Sequence, residues 1–167
     1  MSFYEASVPA FLQILSSLQD VLTKAEAYCT ARSVAPETLL GARLYPDMFP
    51  FTRQVQTACD FAAKSCARLT QSEVPSIADT EKTFGELKQR LANTIEYVRA
   101  FKAAQFEGAE SREVSFPIGP DKTMTLKGQP YLTHFALPNF YFHAATAYGI
   151  LRHNGVEIGK RDFLGVN

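Results

Sequence analysis

The stretch Leu137-Pro138-Asn139-Phe140-Tyr141-Phe142-His143-Ala144-Ala145-Thr146-Ala147-Tyr148-Gly149-Ile150-Leu151 decides the fold. Phe140, Ala144, Ala147 and Leu151 recur at the three-and-four spacing of one helical face. Pro138 suits the first turn of such a helix, and Gly155 can take the left-handed conformation that ends it. Phe135, Tyr141, Phe142, Tyr148 and Ile150 populate much of the remaining circumference, so the spacing predicts the most buried helix of the chain, with apolar surface left for a second subunit. From Gly128 to Leu151 the chain holds no Asp, Glu, Lys or Arg. Pro130, His134, Pro138, Asn139, His143, Thr146 and Tyr148 nevertheless interrupt that stretch, which favours a helix among other helices over one in lipid.

Three further helices are legible upstream. Ser7 is placed to cap the first, with Pro9 in its opening turn and Phe11, Ile14, Leu15, Leu18, Val21, Leu22, Ala25, Tyr28 and Cys29 on its apolar face. Pro36–Leu40 can form a helical turn inside a connection punctuated by Gly41, Pro46 and Pro50. A second long helix is expected to run from an Asp47 N-cap to about Leu69, its stripe marked by Phe51, Val55, Ala58, Ala62 and Leu69. The third begins at Asp79 or Thr80 and carries Phe84, Leu87, Leu91, Ile95 (or Thr94), Val98 and Phe101, with Lys82, Glu86, Lys88, Arg90 and Glu96 mostly on the other side. Between Gly108 and Gly128 the period changes. Glu113–Ile118 and Thr123–Leu126 flank Gly119-Pro120-Asp121-Lys122 and read as a small β-hairpin, with Pro117 tolerated on an edge. The last helix is expected in two pieces, one starting near Pro130 and the main one at Pro138.

Composition bounds the function. The 167 residues suit one domain, 1–167, and 17 Lys+Arg balance 17 Asp+Glu, so no basic excess favours a nucleic-acid partner. With 46% apolar and 20% charged residues the chain can bury a core without staples. Cys29, Cys59 and Cys66 lack metal-ligand or disulfide spacing, and no export signal is visible. A cytoplasmic, non-membrane protein is therefore expected.

The segments Gly41-Ala42-Arg43-Leu44-Tyr45-Pro46-Asp47-Met48-Phe49-Pro50-Phe51 with Arg53-Gln54-Val55, and Leu137–His143 running on through Leu151-Arg152-His153-Asn154-Gly155 to Gly159-Lys160-Arg161-Asp162-Phe163, resemble a domain-of-unknown-function family of bacterial and fungal proteins in the DinB-like (YfiT-like) superfamily. The likeness implies an all-α, four-helix bundle in up-down-down-up order, here with the hairpin between helices 3 and 4, and commonly a homodimer. It also implies kinship with proteins that hold a divalent metal with three histidines, one on the second helix and a pair on the last, some of them thiol-dependent transferases or hydrolases.

The metal set does not transfer onto these residues. His134 and His143 are nine residues apart, about 180° of rotation and about 13 Å of rise on one helix; His143 and His153 differ by roughly 80° and three turns. No histidine lies on the second helix, and Ala147 stands one turn after His143. No metal ligand and no cofactor is assigned, and the usual site is read as lost. A rebuilt site would use His143, Asn139 one turn earlier on the same face, and Asp47; a divalent metal there, serving a transferase or hydrolase, is the alternative. Each residue also has a plain structural role. On that reading Asp47 is expected to cap the second helix, His143 to be a hydrogen-bonded core imidazole, and Asn139 to satisfy backbone groups freed at Pro138. Tyr148 with Arg152 at i+4 suggests stacking or ligand contact. Asp60 pairs with Lys64 or Arg53, and Lys160, Arg161 and Asp162 anchor the tail or clamp an anion. The leading expectation is a small-molecule-binding or structural homodimer whose ligand site draws on Asp47, Asn139, His143 and Tyr148.

Overall fold

A computed structural model of the chain describes residues 2–166. Its long helices are α1 (Val8–Arg32), α3 (Phe51–Thr70), α4 (Phe84–Arg99) and α6 (Leu137–His153). Short helices α2 (Pro36–Leu40) and α7 (Lys160–Leu164) sit in the first connection and the tail. α3 packs against α6 and α4, and α1 against α4, α6 and α7. The expected stripes meet in one core: Phe11, Leu15, Leu18 and Leu22 of α1, Val55, Ala58 and Ala62 of α3, Leu87, Leu91 and Val98 of α4, and Phe140, Ala144, Ala147 and Leu151 of α6 are all buried. Phe11 meets Phe140 edge to face at 4.9 Å.

The helix starts differ from expectation for identifiable reasons. Ser7 precedes α1, but its hydroxyl donates to the Phe3 carbonyl (2.8 Å) instead of capping, because a turn of chain already lies N-terminal to it. Asp47 does not cap α3: it is exposed in the loop, and the helix begins at Phe51. The Phe51 N–H, one of the donors a helix start leaves open, is taken by the Ala42 carbonyl at 2.8 Å, and the Thr52 hydroxyl donates to Leu40 O at 3.0 Å. α4 begins at Phe84, not at Asp79 or Thr80. Thr83 and Glu86 form a reciprocal capping box, with Glu86 N–H to Thr83 Oγ1 at 3.1 Å and Thr83 N–H to Glu86 Oε2 at 3.0 Å.

Strands β1 (Glu113–Pro117) and β2 (Thr123–Lys127) pair antiparallel, Glu113 opposite Lys127 and Pro117 opposite Thr123, as the hairpin reading requires. Val114 and Phe116 turn inward. The last helix is continuous where two pieces were expected. α5 (Gly128–Pro130) runs through a π-helical turn, Tyr131–Ala136, into α6. Pro138 offers no N–H to the preceding turn, and the wider turn with the Asn139 carboxamide donating to Phe135 O (2.7 Å) absorbs that loss. Gly128 is forced by packing: a Cβ there would lie 1.9 Å from the Ala109 carbonyl oxygen. Gly155 takes φ +90° after α6.

α3, not α6, is the most buried long helix. Twelve of its twenty residues are buried against seven of seventeen in α6. The alanines of α3 let two helices approach it closely, whereas Tyr141 and Phe142 of α6 stay exposed. α7 is tied to α1 by Gln13 Nε2 donating to Leu164 O (2.9 Å), Ser17 Oγ to Phe163 O (2.8 Å) and the Lys24–Asp162 pair, so the charged cluster anchors the tail. Among the described residues no helix is long and apolar enough to cross a membrane.

Candidate functional site

His143 projects from α6 toward α3, where Gln54 occupies the same helical face as Phe51 and Ala58. His143 Nδ1 and Gln54 Oε1 are 2.7 Å apart. Gln54 Nε2 donates to Phe49 O at 3.1 Å, which makes Oε1 the acceptor and places the imidazole proton on Nδ1. Nε2 then carries the lone pair, with no hydrogen-bond partner among the described residues. It is not sealed away, because Arg90 Nε is the one sealed and unpartnered side-chain polar atom among them. Two near-parallel phenyl rings flank the imidazole, Phe49 at 6.2 Å and Phe61 at 5.8 Å, and Phe142 meets it edge to face at 5.3 Å. Burial, reinforced by the Arg53 guanidinium, pushes the His143 pKa down to about 4. The ring is therefore neutral near pH 7.

The structure does not bring the four sequence-derived ligand residues together by direct contact. Asp47 is exposed in the loop before α3, Asn139 is spent on the Phe135 carbonyl, and Tyr148 packs edge to face on Phe163 of the tail at 5.7 Å. His143 alone faces α3. Its partners Gln54, Phe49 and Phe61 were missed as site residues, although a glutamine in phase with the α3 apolar stripe signals a buried amide that needs a partner.

A three-histidine centre does not fit these side chains. His134 and His153 are exposed, Gln54 presents a carboxamide on α3, and the nearby Arg53 charge opposes a cation. Among the described residues no group of three or more His, Cys, Asp or Glu side chains is placed to hold a metal ion. The cysteines are buried, and burial pushes the Cys59 and Cys66 thiols up to about 12, so neither is a ready thiolate.

A second polar cluster lies between α3 and α4, joined to the His143 side by Arg53, which sits over the Phe49 ring and pairs with Asp79. The Arg90 side chain, expected on the outer face of α4, is only 2% exposed. It falls at i+3 from Leu87 and i−4 from Thr94, on the edge of the buried stripe, where its charge must be matched. Its guanidinium meets Asp60 at 2.7 Å, Asp79 at 3.1 Å and Glu81 at 3.1 Å, and donates to Ala78 O at 3.1 Å. Lys64 donates to Asp60 at 2.6 Å, the expected i,i+4 pair, while Arg53 pairs with Asp79.

The family model described as domain of unknown function DUF1993 matches residues 3–164. The chain belongs to the DUF1993 family. Its fold is also that of a DinB family member protein from Shewanella denitrificans, whose crystal structure at 1.83 Å resolution is 43% identical over 97% of this chain and 91% of that one, with a TM-score of 0.90. The mostly helical architecture with one small antiparallel sheet is thus DinB-like. No curated protein matches this DUF1993 chain by sequence.

Proposed function

We propose that this DUF1993 protein is a cytoplasmic homodimer, an up-down-down-up four-helix bundle that binds a small molecule at the His143 edge in place of a metal ion. The bundle order is supported by partner choice: α1 packs mainly on α4 and α3 mainly on α6, while long connections join helices consecutive in sequence. The observation that carries the binding reading is the Gln54–His143 pair. With Nδ1–H committed to Gln54, Nε2 remains an acceptor between the half-exposed rings of Phe49 and Phe142. A ligand with an O–H or N–H donor and an apolar body matches that edge. Asp47 in the adjoining loop, Asn139 one turn before His143, and Tyr148 further along α6 complete the proposed surroundings, at the rim and not in contact.

Phenol, an O–H donor on an apolar ring, is the simplest probe. Titrating it should shift the His143 Nε2 resonance in wild-type protein and leave a His143→Gln variant without a saturable response elsewhere in α6. Tag-free protein is expected to carry no stoichiometric metal and to melt at the same temperature with and without EDTA. Stoichiometric zinc, nickel or manganese that disappears in His143→Ala would replace this reading with a metal-dependent transferase or hydrolase built around His143.

A further inference from the structure

Arg68, in the last turn of α3, forms no ion pair among the described residues. Its burial sets it apart. The other arginines without a carboxylate partner are exposed, except Arg112, which spends its guanidinium on the carbonyls of Leu69, Gln105 and Glu107. Arg68 is half-buried, and its side chain makes one hydrogen bond, from Nη1 to the Tyr131 hydroxyl at 3.2 Å. Nε and Nη2 have no partner among the described residues and are open to solvent, since Arg90 Nε is the one sealed and unpartnered side-chain polar atom there. Those two nitrogens share one edge of the planar guanidinium, the edge whose parallel N–H bonds match the two oxygens of a carboxylate.

Arg68 lines a cavity of about 200 Å³ beside α3. Phe61, Lys64 and Arg68 fall at i, i+3 and i+7 on one helical face, and Phe116 and Pro117 of β1 with Phe135 of the π turn supply the other lining. Most of that lining is aromatic. The Arg68 guanidinium carbon stands 5.5 Å from the centroid of the Phe116 ring, and the Phe116 and Phe135 rings are 4.5 Å apart, so the cation is fixed against an apolar wall. Asp60 is the one carboxylate lining the cavity, and both its oxygens are taken, one by Lys64 at 2.6 Å and the other by Arg90 at 2.7 Å. The Arg68 charge is left unmatched. Such a cation beside apolar rings attracts an anion, and a volume below the roughly 300–1,000 Å³ of sites for drug-sized ligands limits that anion to about one ring.

We propose that this cavity binds a small aromatic carboxylate, its oxygens accepting from Arg68 Nε and Nη2 and its ring lying among Phe61, Phe116 and Phe135. Lys64 adds a second cation at the rim. The site uses neither Gln54 nor the His143 nitrogens, so it stands or falls apart from the phenol titration, although Phe61 also flanks the imidazole. The test uses benzoate, with benzamide as its uncharged counterpart and inorganic phosphate as an anion without an apolar body, and follows the ring-proton resonances of Phe116 and Phe135. Benzoate at millimolar concentration should shift them saturably, and neither of the other two should. Arg68→Lys, which keeps the charge and loses the fork, should weaken benzoate binding at least about tenfold. Lys64→Met should weaken it about threefold, and this rim variant decides alone if Arg68→Lys fails to fold. Absence of a saturable benzoate shift overturns the proposal. So does an equal response to phosphate, an equal response to benzamide, or a benzoate affinity unchanged in every folded variant.

Discussion

A neutral imidazole inside an apolar bundle needs a receiver for its one N–H, and Gln54 Oε1 is that receiver for His143. The pair gives stability a pH dependence whose sign is fixed. The folded pKa is about 4 against an ordinary 6.5, so between those values the unfolded chain takes up a proton that the native chain refuses. Stability is therefore full above pH 6.5 and falls as pH drops toward 4, by up to about 3 kcal/mol. Urea midpoints from pH 4 to 7 should show this slope in wild type and lose most of it in His143→Gln; a slope unchanged in the variant would assign it to other groups. His143→Ala should cost roughly 1–3 kcal/mol at pH 7, because it strands a buried Gln54 oxygen. The buried thiols show the same principle, with low-dielectric surroundings disfavouring charge and keeping Cys59 and Cys66 protonated.

Among the elements, the strap at 73–82 depends most on a single side chain. Removing Arg90 leaves Asp60, Asp79 and Glu81 facing one another without their shared cation, and breaking a buried ion network this way costs on the order of 3–5 kcal/mol. Arg90→Met should therefore lower the melting temperature strongly and open residues 73–82 to protease. Lys64→Met, which removes the more exposed partner of Asp60, should change stability by less than about 1 kcal/mol. Equal effects of the two substitutions would show that Arg90 does not govern the strap. The helix starts belong to this scale too. The Thr83–Glu86 box is a local pattern of two residues three apart at the very start of the apolar run, whereas the α3 start rests on the Ala42 carbonyl, a loop-to-helix bond with no local signature.

For the whole molecule, the exposed apolar residues are not scattered evenly. Leu44, Tyr45 and Phe49 lie in the loop before α3, and Tyr141 and Phe142 near the start of α6. Phe49 and Phe142 both touch the His143 ring, so loop and helix present neighbouring apolar surface. An exposed apolar patch of this kind suits the homodimer we propose. Light scattering at micromolar concentration should report a dimer, and Phe142→Glu, which leaves the core stripe of α6 untouched, should give a monomer that melts cooperatively. A wild-type monomer under those conditions would remove the dimer from the reading.

The sequence by itself determined the four long helices, the hairpin and most of the core, because helical period and turn residues act within a few positions of the chain. Phe140, Ala144, Ala147 and Leu151 declare their face without reference to any other segment. Tertiary structure alone decided where charge and polarity went: that Gln54 rather than Asp47 would meet His143, that Arg90 would turn inward to gather three carboxylates, and that Pro138 would be absorbed by a π turn. Those outcomes depend on which distant group arrives within hydrogen-bonding range, and a buried polar atom is satisfied by a partner in space, not by its neighbours in sequence.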